Sequence, residues 1–183
     1  NDSMNLSDEW DGDSITTGYG NDLVKAKGGD DYISDLLGKD KYIGGSGWDT
    51  VSYEESHWNP EFVKQGIKVD LANKKIVGYD GMVDTVSSIE DVRGTFKKDS
   101  FIGDKNDNSF MGYRGNDKID GGKGWDRVDY RNDERYGGTD GIVADLSQGL
   151  VRDGFGNRDK IKNIEAARGT DADDVFVDNS SGN

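Results

Sequence analysis

A nine-residue period is the feature that most constrains what this chain can fold into. Near the start, five aspartates follow one another at steps of nine: Asp13, Asp22, Asp31, Asp40 and Asp49. An apolar or aromatic residue follows each of them by two places: Ile15, Val24, Ile33, Tyr42 and Val51. Glycine stands two places before four of these aspartates, and Asp11 takes that place in the first unit. A fixed short period predicts a repeat architecture in which successive units stack on one another.

The same period returns downstream. Its polar positions and the apolar positions two places later are Asp99, Asn108, Asp117 and Asp126, with Phe101, Phe110, Ile119 and Val128. A third array begins at Gly169 and includes Asp174, and nine residues further lies Asn183, so we expect this array to be cut in the middle of a repeat. Three departures weaken single units and leave the period intact: Ala26-Lys27 in place of a glycine pair, Lys97 in place of glycine, and Asn108 in place of aspartate.

The spacing indicates a coil with cation sites along its edges. A glycine-rich stretch of six residues can adopt the positive φ values of a tight loop, and the next three are extended with the middle one pointing inward. Two nonapeptides then complete one turn, so aspartates eighteen positions apart lie one above the other. Stacked carboxylates repel unless a cation lies between them, and Ca²⁺ accepts about six to eight oxygen ligands in a flexible geometry. The predicted pairs are Asp13–Asp31, Asp31–Asp49, Asp22–Asp40, Asp99–Asp117 and Asn108–Asp126.

Position along the edge predicts a difference between two of these aspartates. Asp31 lies in the middle of its edge and should serve two sites. Asp49 ends its array, because the chain leaves the nine-residue phase from Tyr53 onward, and it should serve only one.

The composition explains why a cation is needed. Only 32% of the 183 residues are hydrophobic, 27 are glycine, and the formal net charge is −14. This balance is close to that of disordered chains, although the regular phasing of Asp and apolar residues argues against a disordered linker. Five divalent ions would change the charge to −14 + 10 = −4 and remove most of the self-repulsion.

Several partners and functions are disfavoured by the sequence. There is no cysteine, so disulfides and thiolate metal sites are excluded. An acidic surface repels nucleic acid, and no apolar run is long enough to span a membrane. The sequence contains no His-Glu-x-x-His zinc motif and no Gly-x-Ser-x-Gly elbow, and we expect His57, the single histidine, to lie in a surface loop. We therefore predict no enzyme activity.

The repeat units resemble the repeats-in-toxin nonapeptide, Gly-Gly-x-Gly-x-Asp-x-(apolar)-x, of haemolysin-type calcium-binding exoproteins. The clearest units are Gly44-Gly45-Ser46-Gly47-Trp48-Asp49-Thr50-Val51-Ser52 and Gly121-Gly122-Lys123-Gly124-Trp125-Asp126-Arg127-Val128-Asp129. The resemblance implies an all-β fold, a calcium-bound right-handed parallel β-roll or β-solenoid. It implies calcium ligands at ten positions: Asp13, Asp22, Asp31, Asp40, Asp49, Asp99, Asn108, Asp117, Asp126 and Asp174. It also implies a secreted or cell-surface module, exported by type I secretion, that supports the flanking domains of an adhesin, toxin or polysaccharide-acting exoenzyme.

Two connectors separate the arrays and are copies of each other. Residues 66–71 match 141–146, and Asp84 matches Asp159, both at an offset of 75. Their alternating apolar residues predict a strand-turn-strand in each copy, which either continues the roll or caps its side. We divide the chain into a first array at 1–52, a connector at 53–93, a second array at 94–129, a second connector at 130–168, and the start of a third array at 169–183.

The polar and aromatic residues of the connectors and loops have two interpretations each. Asp70, Asp84, Asp145 and Asp159 could bind further calcium, but solvated or locally hydrogen-bonded carboxylates are favoured. Glu90 with Arg93, and Glu165 with Arg168, are candidate ion pairs. Trp48 and Trp125 stand at twin positions just before Asp49 and Asp126. They either shelter a strand, which is favoured, or stack on sugar rings, so that a carbohydrate-binding module, with a polysaccharide as partner, is the alternative function.

Overall fold

A computed structural model describes residues 2–6 and 12–177, and within them the backbone is a stack of short strands joined by tight loops. The predicted glycine-place residue Asp11 and the repeat end at Asn183 lie outside the described residues. The strands are β1 (Ser3–Asn5), β2 (Ser14–Thr16), β3 (Tyr19–Gly20), β4 (Leu23–Gly28), β5 (Tyr32–Ser34), β6 (Leu37–Gly38), β7 (Lys41–Ser46), β8 (Thr50–Ser52), β9 (Lys68–Asp70), β10 (Lys75–Val77), β11 (Val83–Ser87), β12 (Asp91–Arg93), β13 (Ser100–Ile102), β14 (Ser109–Met111), β15 (Lys118–Asp120), β16 (Arg127–Asp129), β17 (Val143–Asp145), β18 (Leu150–Arg152), β19 (Arg158–Lys162), β20 (Ala166–Arg168) and β21 (Val175–Val177). Short 3₁₀ helices span Glu54–His57, Pro60–Phe62 and Glu134–Tyr136.

One face of the roll is an all-parallel sheet. Its seven strands lie in the order β2-β5-β8-β12-β14-β16-β20. Ile15 lies opposite Ile33 and Ile33 opposite Val51, so within the first array each step across the sheet advances the chain by eighteen residues. The same step joins Phe110 to Val128 in the second array. Two nonapeptides therefore form one coil, as the period predicts.

The other face is a twelve-stranded sheet in the order β1-β4-β7-β11-β10-β9-β13-β15-β19-β18-β17-β21. Strands of the arrays pair in parallel, again eighteen residues apart, as with Val24 and Tyr42 or Phe101 and Ile119. A third, small sheet pairs β3 with β6. The prediction of an all-β parallel β-roll is confirmed.

Each connector inserts three antiparallel strands into the twelve-stranded sheet. In the first connector β9, β10 and β11 pair antiparallel, while β11 pairs in parallel with β7 and β9 in parallel with β13. In the second, β17, β18 and β19 repeat the arrangement. The connectors thus continue the solenoid, with one strand more than the predicted strand-turn-strand.

The core is a double column of inward-facing residues. Because side chains alternate across a strand, the middle residue of each three-residue strand points inward. In one column Val51, Val92 and Phe110 follow one another on neighbouring strands, and all three are fully buried. The two columns meet inside the coil, where the rings of Phe101 and Phe110 are 5.4 Å apart. The core is narrow, one side chain deep from each sheet.

A group of aromatic side chains, which we call the lateral cluster, packs against the outside of the coil. It consists of His57, Phe96, Tyr113 and Tyr136, with ring-centre separations of 4.3 Å for His57–Phe96 and 5.1 Å for Phe96–Tyr113. The His57 ring also lies 5.4 Å from that of Tyr136. His57 is therefore a partly buried residue of a 3₁₀ helix and not an exposed loop residue as predicted. The cluster joins the 3₁₀ helices of the two connectors.

Candidate metal centres

The structure brings together all five predicted pairs of edge residues. In each pair the backbone N–H of the earlier residue donates to the side-chain Oδ1 of the residue eighteen positions later. The N···O distances are 2.7 Å for Asp13–Asp31, 2.6 Å for Asp22–Asp40, 3.1 Å for Asp31–Asp49, 2.7 Å for Asp99–Asp117 and 2.7 Å for Asn108–Asp126. One oxygen of each later carboxylate thus fastens its coil to the preceding coil.

The second carboxylate oxygen has a different environment. Oδ2 is buried and has no hydrogen-bond partner among the described residues at Asp31, Asp40, Asp49, Asp117 and Asp126. A buried oxygen without a partner costs free energy, and five in equivalent places require a common explanation. An oxygen-binding cation supplies one, and these residues fit Ca²⁺ because the donor set consists of oxygen atoms alone.

The first glycine of the repeat keeps the space beside that oxygen clear. A Cβ built on Gly44 would overlap Oδ2 of Asp49, and one on Gly112 would overlap Oδ2 of Asp117. The same holds for Gly121 and Asp126. Glycine five places before the aspartate thus leaves room beside the carboxylate at these three sites, whereas Ala26 and Asp35 occupy the equivalent places before Asp31 and Asp40.

The second glycine place requires a particular backbone conformation. Gly45 has a φ of 125°, and Lys27, which replaces glycine at the equivalent place, has a φ of 77°. Only glycine adopts such angles at little cost. The departure noted in the sequence thus introduces local strain and leaves the coil intact.

Residues of the connectors extend both edges. The amide of Asp40 donates to Oδ1 of Asp84 at 2.8 Å, and the amide of Asp49 donates to Oε2 of Glu90 at 3.0 Å. In the second copy the same bonds join Asp117 to Asp159 (2.8 Å) and Asp126 to Glu165 (2.8 Å). Each connector therefore returns a carboxylate to the place that the next repeat would fill.

These contacts correct two expectations about the connectors. Asp84 and Asp159 are buried and bonded over a long range, so the favoured interpretation of a solvated or locally bonded carboxylate is wrong for them. The offset of 75 that pairs them was the available signal. For Asp70 and Asp145 that interpretation is confirmed, because each accepts a bond from an amide three residues later.

The predicted ion pairs Glu90–Arg93 and Glu165–Arg168 are not formed among the described residues. Both glutamates accept the edge amides instead. Arg93 lies 3.5 Å from Glu54 and 3.8 Å from Asp91.

Three further predicted ligands accept additional amide bonds: Asp99 and Asp174 begin an array, and Asn108 lies inside one. Asp99 accepts the amide of Ile67 at 2.7 Å, while its Oδ2 accepts the amide of Thr95 at 2.7 Å. Asp174 likewise accepts the amide of Ile142 at 2.8 Å, and Asn108 accepts the amide of Asp104 at 2.9 Å. The oxygens of Asp99 are already bonded to protein groups, whereas Oδ2 of its neighbour Asp117 is not.

Before three of the edge residues, Asp40, Asp49 and Asp126, the preceding residue forms a bond in the opposite direction. The amide of Trp48 donates back to Oδ1 of Asp30 at 2.8 Å, and that of Trp125 donates back to Asp107 at 2.7 Å. Lys39 repeats this bond with Asn21 at 3.0 Å. Both indole side chains remain accessible, Trp48 at 37% and Trp125 at 54%.

Burial disfavours the ionised form of the edge carboxylates. It raises the pKa of Asp49 to about 7 and, with repulsion from Glu165, that of Asp126 to about 6. Burial, together with the neighbouring Asp99 and Asp159, also raises the pKa of Asp117. A bound cation removes this penalty because it stabilises the ionised form of its ligands.

Comparison with known proteins agrees with this geometry. No helix among residues 2–6 and 12–177 has the length and apolar character to cross a membrane, and no curated protein matches the chain. The family model of the RTX calcium-binding nonapeptide repeat matches residues 16–51 and 99–133, in 4 copies. These segments contain eight of the nine edge residues of the two complete arrays, with the stacked pairs Asp31–Asp49 and Asp22–Asp40 in one and the pairs Asp99–Asp117 and Asn108–Asp126 in the other. Both arrays of the chain therefore match the RTX calcium-binding nonapeptide repeat, which supports a calcium-binding repeat module of the RTX kind.

Proposed function

We propose that this chain is the structural part of a larger exported protein, a module that folds when it meets calcium outside the cell and then acts as a spacer and stabiliser. The observation that carries the proposal is the row of buried Oδ2 atoms along the two edges, at Asp31, Asp40, Asp49, Asp117 and Asp126, which have no hydrogen-bond partner within the described part of the chain. The proposal assigns the chain no catalytic step.

The narrow core supports a folding role for the ion. With 32% hydrophobic residues, apolar burial offers little to offset the conformational entropy of ordering the backbone. At the same time every coil places buried carboxylates above one another, as at Asp31 and Asp49. Calcium changes this repulsion into attraction between neighbouring coils, so ion binding and folding are one process.

Such coupling suits a protein that must cross a membrane before it folds. Extracellular calcium modules bind with dissociation constants of about 10⁻⁴–10⁻³ M. Sites of that strength stay unfilled at cytosolic calcium levels and fill outside the cell.

Circular dichroism at pH 7.5, first with chelator and then with millimolar calcium, tests the proposal. In chelator we expect a largely disordered spectrum and a radius of gyration approaching roughly 45 Å, the value for an unfolded chain of this length. Calcium should produce a β-rich spectrum and a compact particle, and the same concentration of magnesium should not, because Mg²⁺ demands a stricter octahedron and retains its waters. An unchanged β spectrum in chelator would contradict coupled folding.

The two exposed tryptophans support a second candidate, a carbohydrate-binding accessory module. Trp48 precedes β8 and Trp125 precedes β16, three strands further along the same sheet, which places them roughly 14 Å apart along the stack. Exposed rings on one edge can stack on sugar rings of one chain. If they do, a polysaccharide should quench tryptophan fluorescence in calcium, and the double variant Trp48→Ala/Trp125→Ala should lose the quenching. If neither neutral nor acidic glycans quench the fluorescence, the carbohydrate-binding function is ruled out and only the spacer role remains.

A further inference from the structure

Asp35 occupies a place in the repeat where the best-formed units have glycine. It stands five positions before Asp40, as Gly44 does before Asp49 and Gly112 before Asp117. At those places a Cβ would point at the edge carboxylate. Asp35 therefore directs a carboxylate toward the Asp40 side chain, and it is only 3% exposed.

Three carboxylates converge at this point of the edge. Asp35, Asp40 and Asp84 are all buried, and each offers one oxygen such that the three oxygens lie within 4.8 Å of one another. Asp35 comes from the first array and Asp84 from the connector. We call these three residues the inner triad.

Two core tyrosines fix the orientation of the inner triad. The hydroxyl of Tyr42 donates to Oδ1 of Asp35 at 3.0 Å, and the hydroxyl of Tyr53 donates to Oδ2 of Asp84 at 2.8 Å. Both rings are fully buried in the coil. Hydrogen bonds from outside a ligand set are how proteins orient metal-binding carboxylates.

A second observation points to a ligand in the triad. Asp40 is 3% exposed and its Oδ2 has no hydrogen-bond partner among the described residues, although its Oδ1 accepts the amide of Asp22. No lysine or arginine of the described chain forms an ion pair with any member of the triad. Three buried carboxylates without a positive partner carry a large desolvation cost, which a divalent cation would offset.

We propose that Asp35, Asp40 and Asp84 bind one Ca²⁺ ion on the inner side of the edge, in a site that the repeat pattern does not contain. Its ligands are oxygen atoms of three carboxylates, which favour Ca²⁺ over transition metals. Because affinity for Ca²⁺ rises with the number of charged ligands and the rigidity of the site, this is the tightest site of the chain. The twin position in the second copy has Gly112 in place of Asp35, so among the described residues only the first copy has a site of this kind. The inference rests on the proposed function only in that both use Asp40.

Calorimetric titration with calcium, using the whole chain, tests the assignment through Asp35→Asn. Asparagine keeps an acceptor for the Tyr42 hydroxyl and removes the charge. The control is Glu61→Gln, which removes one charge from an exposed residue outside the triad. We expect Asp35→Asn to lose one ion from the tightest class and to raise the calcium concentration at half-folding by at least about tenfold, while Glu61→Gln behaves as the parent. Asp35→Gly, which restores the residue of the twin site, should give the same result.

The outcomes separate this inference from the proposed function. If the parent binds calcium and folds, but Asp35→Asn and Asp35→Gly match it in stoichiometry and midpoint, the inner triad holds no ion and the edge sites stand. If both variants fail to fold at saturating calcium, Asp35 serves packing and the inference is overturned, because the other sites should still fold the roll. If the parent itself binds no calcium, the proposed function fails as well.

Discussion

The backbone amide of Asp31 donates to Oδ1 of Asp49 at 3.1 Å, and this bond is one step of a ladder that does not stop at Asp49. Asp49 in turn donates its amide to Oε2 of Glu90. The expectation that Asp49 ends the edge therefore does not hold in the structure, since the connector returns a carboxylate over it. Asp31 and Asp49 both lie between two acidic neighbours.

This ladder predicts that Asp31→Ala and Asp49→Ala have similar effects. Each should lower the calcium stoichiometry by up to two ions, because each carboxylate faces a site above and a site below. Glu90→Gln should affect the last of these sites only. Calorimetric titration of the three variants in parallel measures this, and a much smaller loss for Asp49→Ala would show that Glu90 takes no part.

The lack of room beside Asp49 predicts a cost for a single methyl group. Gly44→Ala should destabilise the calcium-bound roll by about 1–3 kcal/mol, the usual range for overpacking, and should weaken calcium binding. The control is Gly81→Ala, where the added Cβ meets no neighbour and only the φ of 91° is strained. Urea unfolding in calcium measures the stability, and calcium titration measures the binding. Gly81→Ala should leave calcium affinity unchanged, whereas equal affinities for the two variants would mean that the space next to Asp49 is not used by an ion.

The raised pKa values predict that acid favours the metal-free roll. The pKa of Asp49 is about 7 in the fold, mainly through burial, against an ordinary value of 3.8. The folded chain therefore binds more protons than the unfolded chain between about pH 4 and pH 7, and its stability falls as the pH rises through this window. In chelator the β signal should be stronger at pH 5.5 than at pH 8, and in calcium the order should reverse, because the ion competes with protons.

A variant checks the cause of this pH dependence. Asp49→Asn removes one of the groups, so the difference between pH 5.5 and pH 8 in chelator should shrink. A pH profile identical to that of the parent would assign the effect to overall charge and not to the edge carboxylates.

Glu54 of the first connector is bonded to Tyr32 of the first array and to Tyr113 of the second, so its substitution should strongly destabilise the roll. Its carboxylate accepts the hydroxyls of Tyr32, at 2.7 Å, and Tyr113, and it lies 3.5 Å from Arg93. Burial alone would raise the pKa of Glu54, but these three partners outweigh it and lower the pKa. Glu54→Gln should cost about 2–3 kcal/mol in urea unfolding with saturating calcium, since hydrogen bonds to a charged group are the strong ones. Tyr32→Phe should cost less, and the exposed Glu61→Gln should cost nothing measurable.

The parts of the structure that follow from short-range chemistry could be predicted from the sequence. The eighteen-residue stacking of Asp22 on Asp40 follows from loop geometry and strand alternation within two nonapeptides, and the inward column of Ile33 and Val51 follows from the same rule. Both predictions require only the geometry of a single coil.

The parts that depend on the path of the connectors could not be predicted. Between Asp49 and Glu90 the chain makes 3₁₀ helices and three antiparallel strands before it returns to the edge. The nine-residue phase is lost in this interval, and no local pattern says that Glu90 or Asp84 lands above a repeat aspartate. The contact of His57 with Tyr136 likewise joins residues of two different connectors.

The opposed hydrogen bonds at each coil edge have a consequence for the register of stacking. At Asp49 the amide is directed to the following coil, whereas at Trp48 it is directed to the preceding coil, to Asp30. The same opposed pair of bonds occurs at Trp125 and Asp126 and at Lys39 and Asp40, so at these edges each coil both donates to and accepts from its neighbours. A slip of one residue would break both bonds, because the amides would no longer face their acceptor side chains. A slip of nine residues would bring one edge of the coil over the other. Neighbouring coils therefore fit in one alignment only, and a change in the number of whole coils would leave that fit unchanged.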